Sequence, residues 1–129
     1  MDIRSSIRDG VLTIGPQHTI RAAAQAMADR KVGSAVVMTE DGRPAILTER
    51  DILRAVAAGV DLDRTPVEEH MTSEPVTASP AWDVVKAADA MIRGSFRHLI
   101  VVDSSGSVEG VLSIRDLVAA LLSELKSDS

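Results

Sequence analysis

The sequence predicts an α+β fold: two copies of one β-α-β-β-α unit, packed face to face about a pseudo-twofold axis. Two observations carry this. The heptapeptide AILTERD (45–51) returns as GVLSIRD (110–116), each a small residue, two aliphatics, a hydroxyl, any residue and Arg-Asp. Around it the whole chain matches itself. At an offset of 64, residues 13–44 fall on 77–108, pairing Thr13 with Thr77, Pro16 with Pro80, Ala23 with Ala87, Met27 with Met91 and Gly42 with Gly106. One extra residue in the second copy then makes the offset 65, pairing Leu47 with Leu112, Arg50 with Arg115, Asp51 with Asp116 and Ala55 with Ala120. The copies span 1–61 and 62–129, joined near GVDLDRTP (59–66), and the lead-ins IRSSI (3–7) and VEEHM (67–71) match in character.

Each element repeats in order. A short extended piece (11–14; 76–78) ends at a Gly-Pro or Ser-Pro turn, because the residue before proline is pushed out of the helical region. An alanine-rich helix follows, about 19–31 and 82–94, with apolar residues at helical spacing. The β-branched runs SAVVM (34–38) and HLIVV (98–102) suit buried strands. A turn holding Asp41-Gly42 or Ser105-Gly106 leads to a third strand, 43–47 and 108–112. A last helix starts at Thr48 or Ser113. One copy alone buries little core, which is why the two are expected to pack together.

Composition narrows the function. The formal charge is −5 and the aromatics are Trp82 and Phe96. Duplex binding needs clustered Lys and Arg, and single strands need stacking aromatics in a basic groove, so no nucleic-acid partner is expected. There is no cysteine, hence no disulfide framework or thiolate metal site. The start MDIRSSIRDG has no apolar run of the signal-peptide kind, and no stretch approaches the roughly 18 apolar residues of a membrane span. The reading is cytoplasmic, with no membrane partner.

The repeated heptapeptide has a plain explanation. Thr48-x-x-Asp51 and Ser113-x-x-Asp116 fit a helix capping box, in which the hydroxyl accepts from the first turn and the carboxylate reaches back. Three features ask for more. The residue before the aliphatic pair is small (Ala45, Gly110), which admits close approach to the strand. Arg50 and Arg115 put a cation in the first helical turn against the helix dipole, so a nearby anion would account for them. A helix N-terminus is also an anion site, and a carboxylate beside it suits ribose, whose two hydroxyls it accepts, as in dinucleotide folds.

These residues resemble a tandem pair of CBS domains, named after cystathionine β-synthase. The likeness rests on the doubled unit, on ILTERD and VLSIRD, on Thr13–Pro16 and Thr77–Pro80, and on FRHLIVVD (96–103), and it covers almost the whole chain. The resemblance implies a regulatory module, not an enzyme, that takes adenosine-containing ligands (AMP, ADP, ATP, NAD or S-adenosylmethionine) in clefts between the repeats. It also implies disc-like homodimers. Carried onto this chain, Asp51 and Asp116 would hold ribose and Thr48 and Ser113 would lie near phosphate. Val32 and Phe96, with Ile46 and Val111, would flank adenine, while Arg97 and His98 would face phosphate. The first copy departs from this pattern, with Ala45 in place of the usual glycine and Gly33-Ser34 opposite Arg97-His98. Unequal sites follow, the stronger around Asp116 and favouring phosphate-bearing ligands.

Little else suggests chemistry. His18, His70 and His98 have no metal-binding spacing, no nucleophile–base pair points to a hydrolase, and no cofactor is expected beyond the nucleotide as regulatory ligand. Trp82 suits a core or interface anchor. The segment IRDLVAALLSEL (114–125) is apolar on two faces, one for its own sheet and one for another chain, so a homodimer is expected, together with an effector protein of unknown identity. The alternative is a protein–protein interaction scaffold of the same fold that binds no nucleotide.

Overall fold

The structure is a computed structural model and describes residues 1–7 and 10–127. The chain forms two compact units, Val11–Pro75 and Met1–Gly10 with Val76–Ser129. In the first, β1 (Thr13–Ile14), α1 (Ile20–Arg30), β2 (Ser34–Met38), β3 (Pro44–Thr48) and α2 (Glu49–Ala57) follow in order. In the second, β4 (Thr77–Ala78), α3 (Val84–Gly94), β5 (His98–Val102), β6 (Val108–Ser113) and α4 (Ile114–Ser127) repeat that order. Each sheet has three strands, with the middle one parallel to the short first strand and antiparallel to the third. The doubled β-α-β-β-α reading therefore holds element by element.

The change of offset from 64 to 65 has a structural form. Ser34 pairs with Thr48 and the register runs without interruption to Met38 opposite Pro44. In the second unit Val101 pairs with Gly110 but Val102 with Val108, so Glu109 is the inserted residue of a β-bulge. The turns before β3 and β6 are alike, closed by Gly42 N–H to Thr39 O (3.0 Å) and Gly106 N–H to Asp103 O (3.0 Å). Both glycines have positive φ, 82° and 88°. Their side-chain partners are exchanged. Thr39 Oγ1 donates to Asp41 in one turn, and Ser105 Oγ donates to Asp103 Oδ1 at 2.6 Å in the other. These hydroxyls, with backbone N–H groups, hold both carboxyls below their ordinary range.

Helix packing follows the apolar spacing. Ile20, Ala23 and Met27 of α1 are buried, and so are Val84, Ala87 and Met91 of α3 at the equivalent positions. Thr19 caps α1 by accepting from Ala22 N–H (3.1 Å), and Asp83 caps α3 by accepting from Val85 N–H (2.9 Å). One sheet face in each unit meets these helices: Ile14, Ala35, Val37, Ala45 and Leu47 in the first, Ala78, Leu99, Val101 and Leu112 in the second. By the alternation of a strand, the other face carries Ser34, Val36, Ile46 and Thr48, or His98, Ile100, Val111 and Ser113. Val36, Ile46 and Ile100 are buried as well.

The boundaries 1–61 and 62–129 are not those of the compact units. Each lead-in forms a 3-10 turn, Arg4–Ser6 and Val67–Glu69, and each completes the core of the other repeat. Ile3, fully buried, belongs to the core with Leu99, Leu112 and Leu117, and its N–H donates to Trp82 O at 2.9 Å. Val67, equally buried, belongs to the core with Ile20, Met27 and Leu47, and its N–H donates to His18 O at 2.8 Å. Each lead-in thereby buries one aliphatic at the equivalent position, Ile3 or Val67.

Helices α1 and α3 end in the same way. Lys31 and Ser95 both have φ 56°. Val32 N–H donates to Met27 O (3.0 Å) and Lys31 N–H to Ala28 O (3.2 Å), while Phe96 N–H donates to Met91 O (3.1 Å) and Ser95 N–H to Ile92 O (3.3 Å). This is the Schellman arrangement, whose left-handed residue is usually glycine. Lys31 is exposed there, so Lys31→Gly removes Cβ strain without loss of packing. It is expected to raise stability by about 1 kcal/mol, read as a higher urea midpoint at unchanged m-value.

Candidate functional site

The two heptapeptides fold into matching sites at the start of α2 and α4. Thr48 N–H donates to Asp51 Oδ2 (2.9 Å), Thr48 Oγ1 to the same oxygen (3.1 Å), and Asp51 N–H to Thr48 Oγ1 (3.3 Å). Ser113 N–H and Oγ donate to Asp116 Oδ2 at 3.1 and 2.7 Å, and Asp116 N–H returns to Ser113 Oγ at 3.1 Å. Both are complete capping boxes. The box fixes each carboxylate beside the N–H groups of a helix start, where the helix dipole favours negative charge. Asp51 is 7% exposed, whereas Asp116 is half-buried.

Strand pairing brings other residues to the same end. His98 lies opposite Ser113, and Ser34 opposite Thr48. The first helical residue of each box is tied to the strand entry, Ile114 N–H to Arg97 O (2.8 Å) and Glu49 N–H to Gly33 O (3.1 Å). The Schellman turns deliver Phe96 and Val32, both half-buried, just ahead of these carbonyls. Val111 and Ile46 lie two residues before Ser113 and Thr48 and share their sheet face. In the second unit Arg97, His98, Val111, Ser113 and Asp116 therefore gather at one sheet end, next to Phe96, which also packs against the core of its unit. In the first, Val32, Ile46, Thr48 and Asp51 gather in the same way. Arg50 and Arg115 are exposed at the second helical position, with Glu49 and Asp51 flanking Arg50.

Ala45 and Gly110 are not on this face. Ala45 is fully buried in the core with Ile20 and Ala55, and Gly110, also buried, pairs with the core residue Val101. The small side chain at Ala45 thus serves the packing of β3 against the helices of its unit. Two features were missed from sequence. Ile46 exchanges backbone hydrogen bonds with Thr72, at 3.1 and 2.8 Å, which covers the outer edge of β3; an isolated bridge has no sequence signal. Gly94 lies directly under the Phe96 ring, and its signal was a glycine at the last position of the expected helix 82–94.

The remaining candidates are structural. Gly15 N–H donates to His18 Nδ1 at 3.0 Å. Trp82 packs on the core that holds Ile3, with Lys86 Nζ 4.3 Å from its ring centroid. Among the described residues no three His, Asp or Glu side chains group as a metal site, and no helix is long and apolar enough to cross a membrane.

Two repeats of this β-α-β-β-α topology, each with a hydroxyl–carboxylate box at the start of its last helix, define a tandem pair of CBS domains. The CBS domain family model matches residues 2–58 and 67–123, and the chain belongs to that family. It is similar to a CBS domain protein from Pyrobaculum aerophilum solved in complex with AMP: 39% identity, TM-score 0.86, covering 98% of this chain and 99% of that one. It is 32% identical to the CBS domain-containing protein YhcV of Bacillus subtilis over 98% of this chain and 90% of the relative. It is 41% identical to an uncharacterized 17.7 kDa protein of Acidianus ambivalens over 87% of this chain and 68% of the relative.

Proposed function

We propose that the protein is a non-enzymatic regulatory module that binds a phosphate-bearing adenosine ligand. The observation that carries this is the gathering of a fixed carboxylate (Asp116), a hydroxyl (Ser113), a basic pair (Arg97, His98) and an aromatic (Phe96) at one sheet end. In this reading Asp116 accepts from the ribose hydroxyls, Arg97 and His98 face phosphate with Ser113 nearby, and Phe96 and Val111 flank the base. Asp51, Thr48, Val32 and Ile46 repeat the arrangement without the basic pair, which makes theirs the weaker site. The AMP complex of the similar Pyrobaculum protein supports the ligand class.

Binding changes a conformational or association equilibrium only through different affinity for its two states, and an effector protein reads that change. The assembly in this reading is a homodimer through α4. Leu117 and Leu121 of that helix pack on its own core, while Val118, Leu122 and Leu125 stay exposed at i, i+4 and i+7.

A thermal-shift panel of AMP, ADP, ATP, NAD and S-adenosylmethionine tests the function. At a hundredfold excess over its Kd a ligand adds about 2.7 kcal/mol, which raises Tm by several degrees. The completeness of both capping boxes favours one other reading, a scaffold in which Asp51 and Asp116 only cap helices. No shift with any of the five at millimolar concentration selects it.

A further inference from the structure

The chain's one phenylalanine rests on a glycine. A Cβ at position 94 would lie 2.1 Å from Phe96 Cε1, 2.5 Å from Cδ1 and 3.2 Å from Cζ. Contacts of about 2 Å between carbon atoms are well inside the roughly 3.5–4.0 Å optimum, so any side chain at 94 displaces the ring. The backbone gives no reason for glycine there. Gly94 is the last residue of α3, and the left-handed residue that a glycine would suit is the next one, Ser95. Glycine is disfavoured against alanine at a helical position. The other unit carries the complementary pair: Arg30, with a full side chain, at the helix end and Val32, with no ring, two residues on. Glycine goes with the ring, and a side chain goes with its absence.

We infer that Gly94 is a positioning residue: it draws the Phe96 ring back against the end of α3 and so sets the stacking surface for the base in the unit of Asp116. This rests on the adenosine reading above and deepens it, because it confines aromatic stacking to one of the two sites. Val32 offers an aliphatic contact where Phe96 offers a ring, so purine affinity separates the sites even where their capping boxes are alike.

The test titrates AMP and ribose 5-phosphate, by calorimetry, into the wild type, Gly94→Ala, Phe96→Val and the double variant. AMP is expected to weaken about tenfold in Gly94→Ala, as for a base losing an aromatic partner. Phe96→Val loses as much, and the double variant loses no more than Phe96→Val. Ribose 5-phosphate binding stays unchanged throughout. A second readout needs no ligand: with one phenylalanine in the chain, the Gly94 Hα resonance carries its ring-current shift, which Phe96→Val abolishes. If Gly94→Ala fails to fold, the double variant, which removes the clash, supplies the comparison with Phe96→Val. Wild-type AMP affinity in Gly94→Ala, equal loss of ribose 5-phosphate, or an unshifted Gly94 Hα overturns the inference while nucleotide binding stands. Absence of AMP binding to the wild type overturns the adenosine reading itself, and this inference with it.

Discussion

Replacing Leu117 by alanine is expected to lower stability by about 2–5 kcal/mol. Leu117 is fully buried, in one core with Ile3, Met91, Leu99 and Leu112. Alanine there loses the transfer free energy of three carbons and leaves a cavity among residues drawn from α3, α4, both main strands and the lead-in, which close it only in part. Against a typical domain stability of about 5–15 kcal/mol, this is a large fraction. A urea titration reads it as a lower midpoint. Leu122, five residues on and 49% exposed, gives the contrast. Leu122→Lys leaves the core intact and is expected to stay folded, with its effect confined to association: sedimentation moves from dimer to monomer if the exposed α4 face is the interface. A Leu117→Ala midpoint equal to wild type would contradict the core assignment, and a wild type that already sediments as a monomer would contradict the interface.

Asp116→Ala is expected to weaken AMP binding at least about tenfold. A hydrogen bond to a charged group contributes about 1.5–3 kcal/mol, and about 1.4 kcal/mol is a factor of ten. Asp51→Ala is expected to lose less, for two reasons. Asp51 is 7% exposed against a half-buried Asp116, and Gly33-Ser34 replace Arg97-His98 beside it. Both substitutions also break a capping box worth about 1 kcal/mol. Apo stability therefore falls in both variants, and only ligand binding separates the proposed ribose contact from the helix cap.

What was legible in the sequence was local. The β-branched runs at 34–38 and 98–102 became β2 and β5 with unchanged bounds, and the hydroxyls at 48 and 113 mark the start of both final helices. The extra residue of the second copy was visible, and pairing made it the bulge at Glu109. The exchange of lead-ins was not legible. Ile3 and Val67 are aliphatics at equivalent positions, and which core each fills is decided by the path of the chain, not by its pattern. The 3-10 turns around them are three residues long, too short for any periodicity. In the candidate site, the residue types were readable but not which way they face. Ala45 turns into the core with Ile20 and Ala55, and Gly110 pairs with the core residue Val101, as the register reveals. The pairing of Gly94 with Phe96 needed the ring's position in space.

The most direct test of the account is calorimetry of AMP and 2′-deoxy-AMP binding to the wild type and to Asp116→Ala. If Asp116 holds ribose, the wild type prefers the ribonucleotide, and the preference shrinks in Asp116→Ala because the carboxylate that reads the 2′-hydroxyl is gone. Equal affinity of the wild type for the two sugars would contradict the account: the repeated aspartate would then be a helix cap and nothing more.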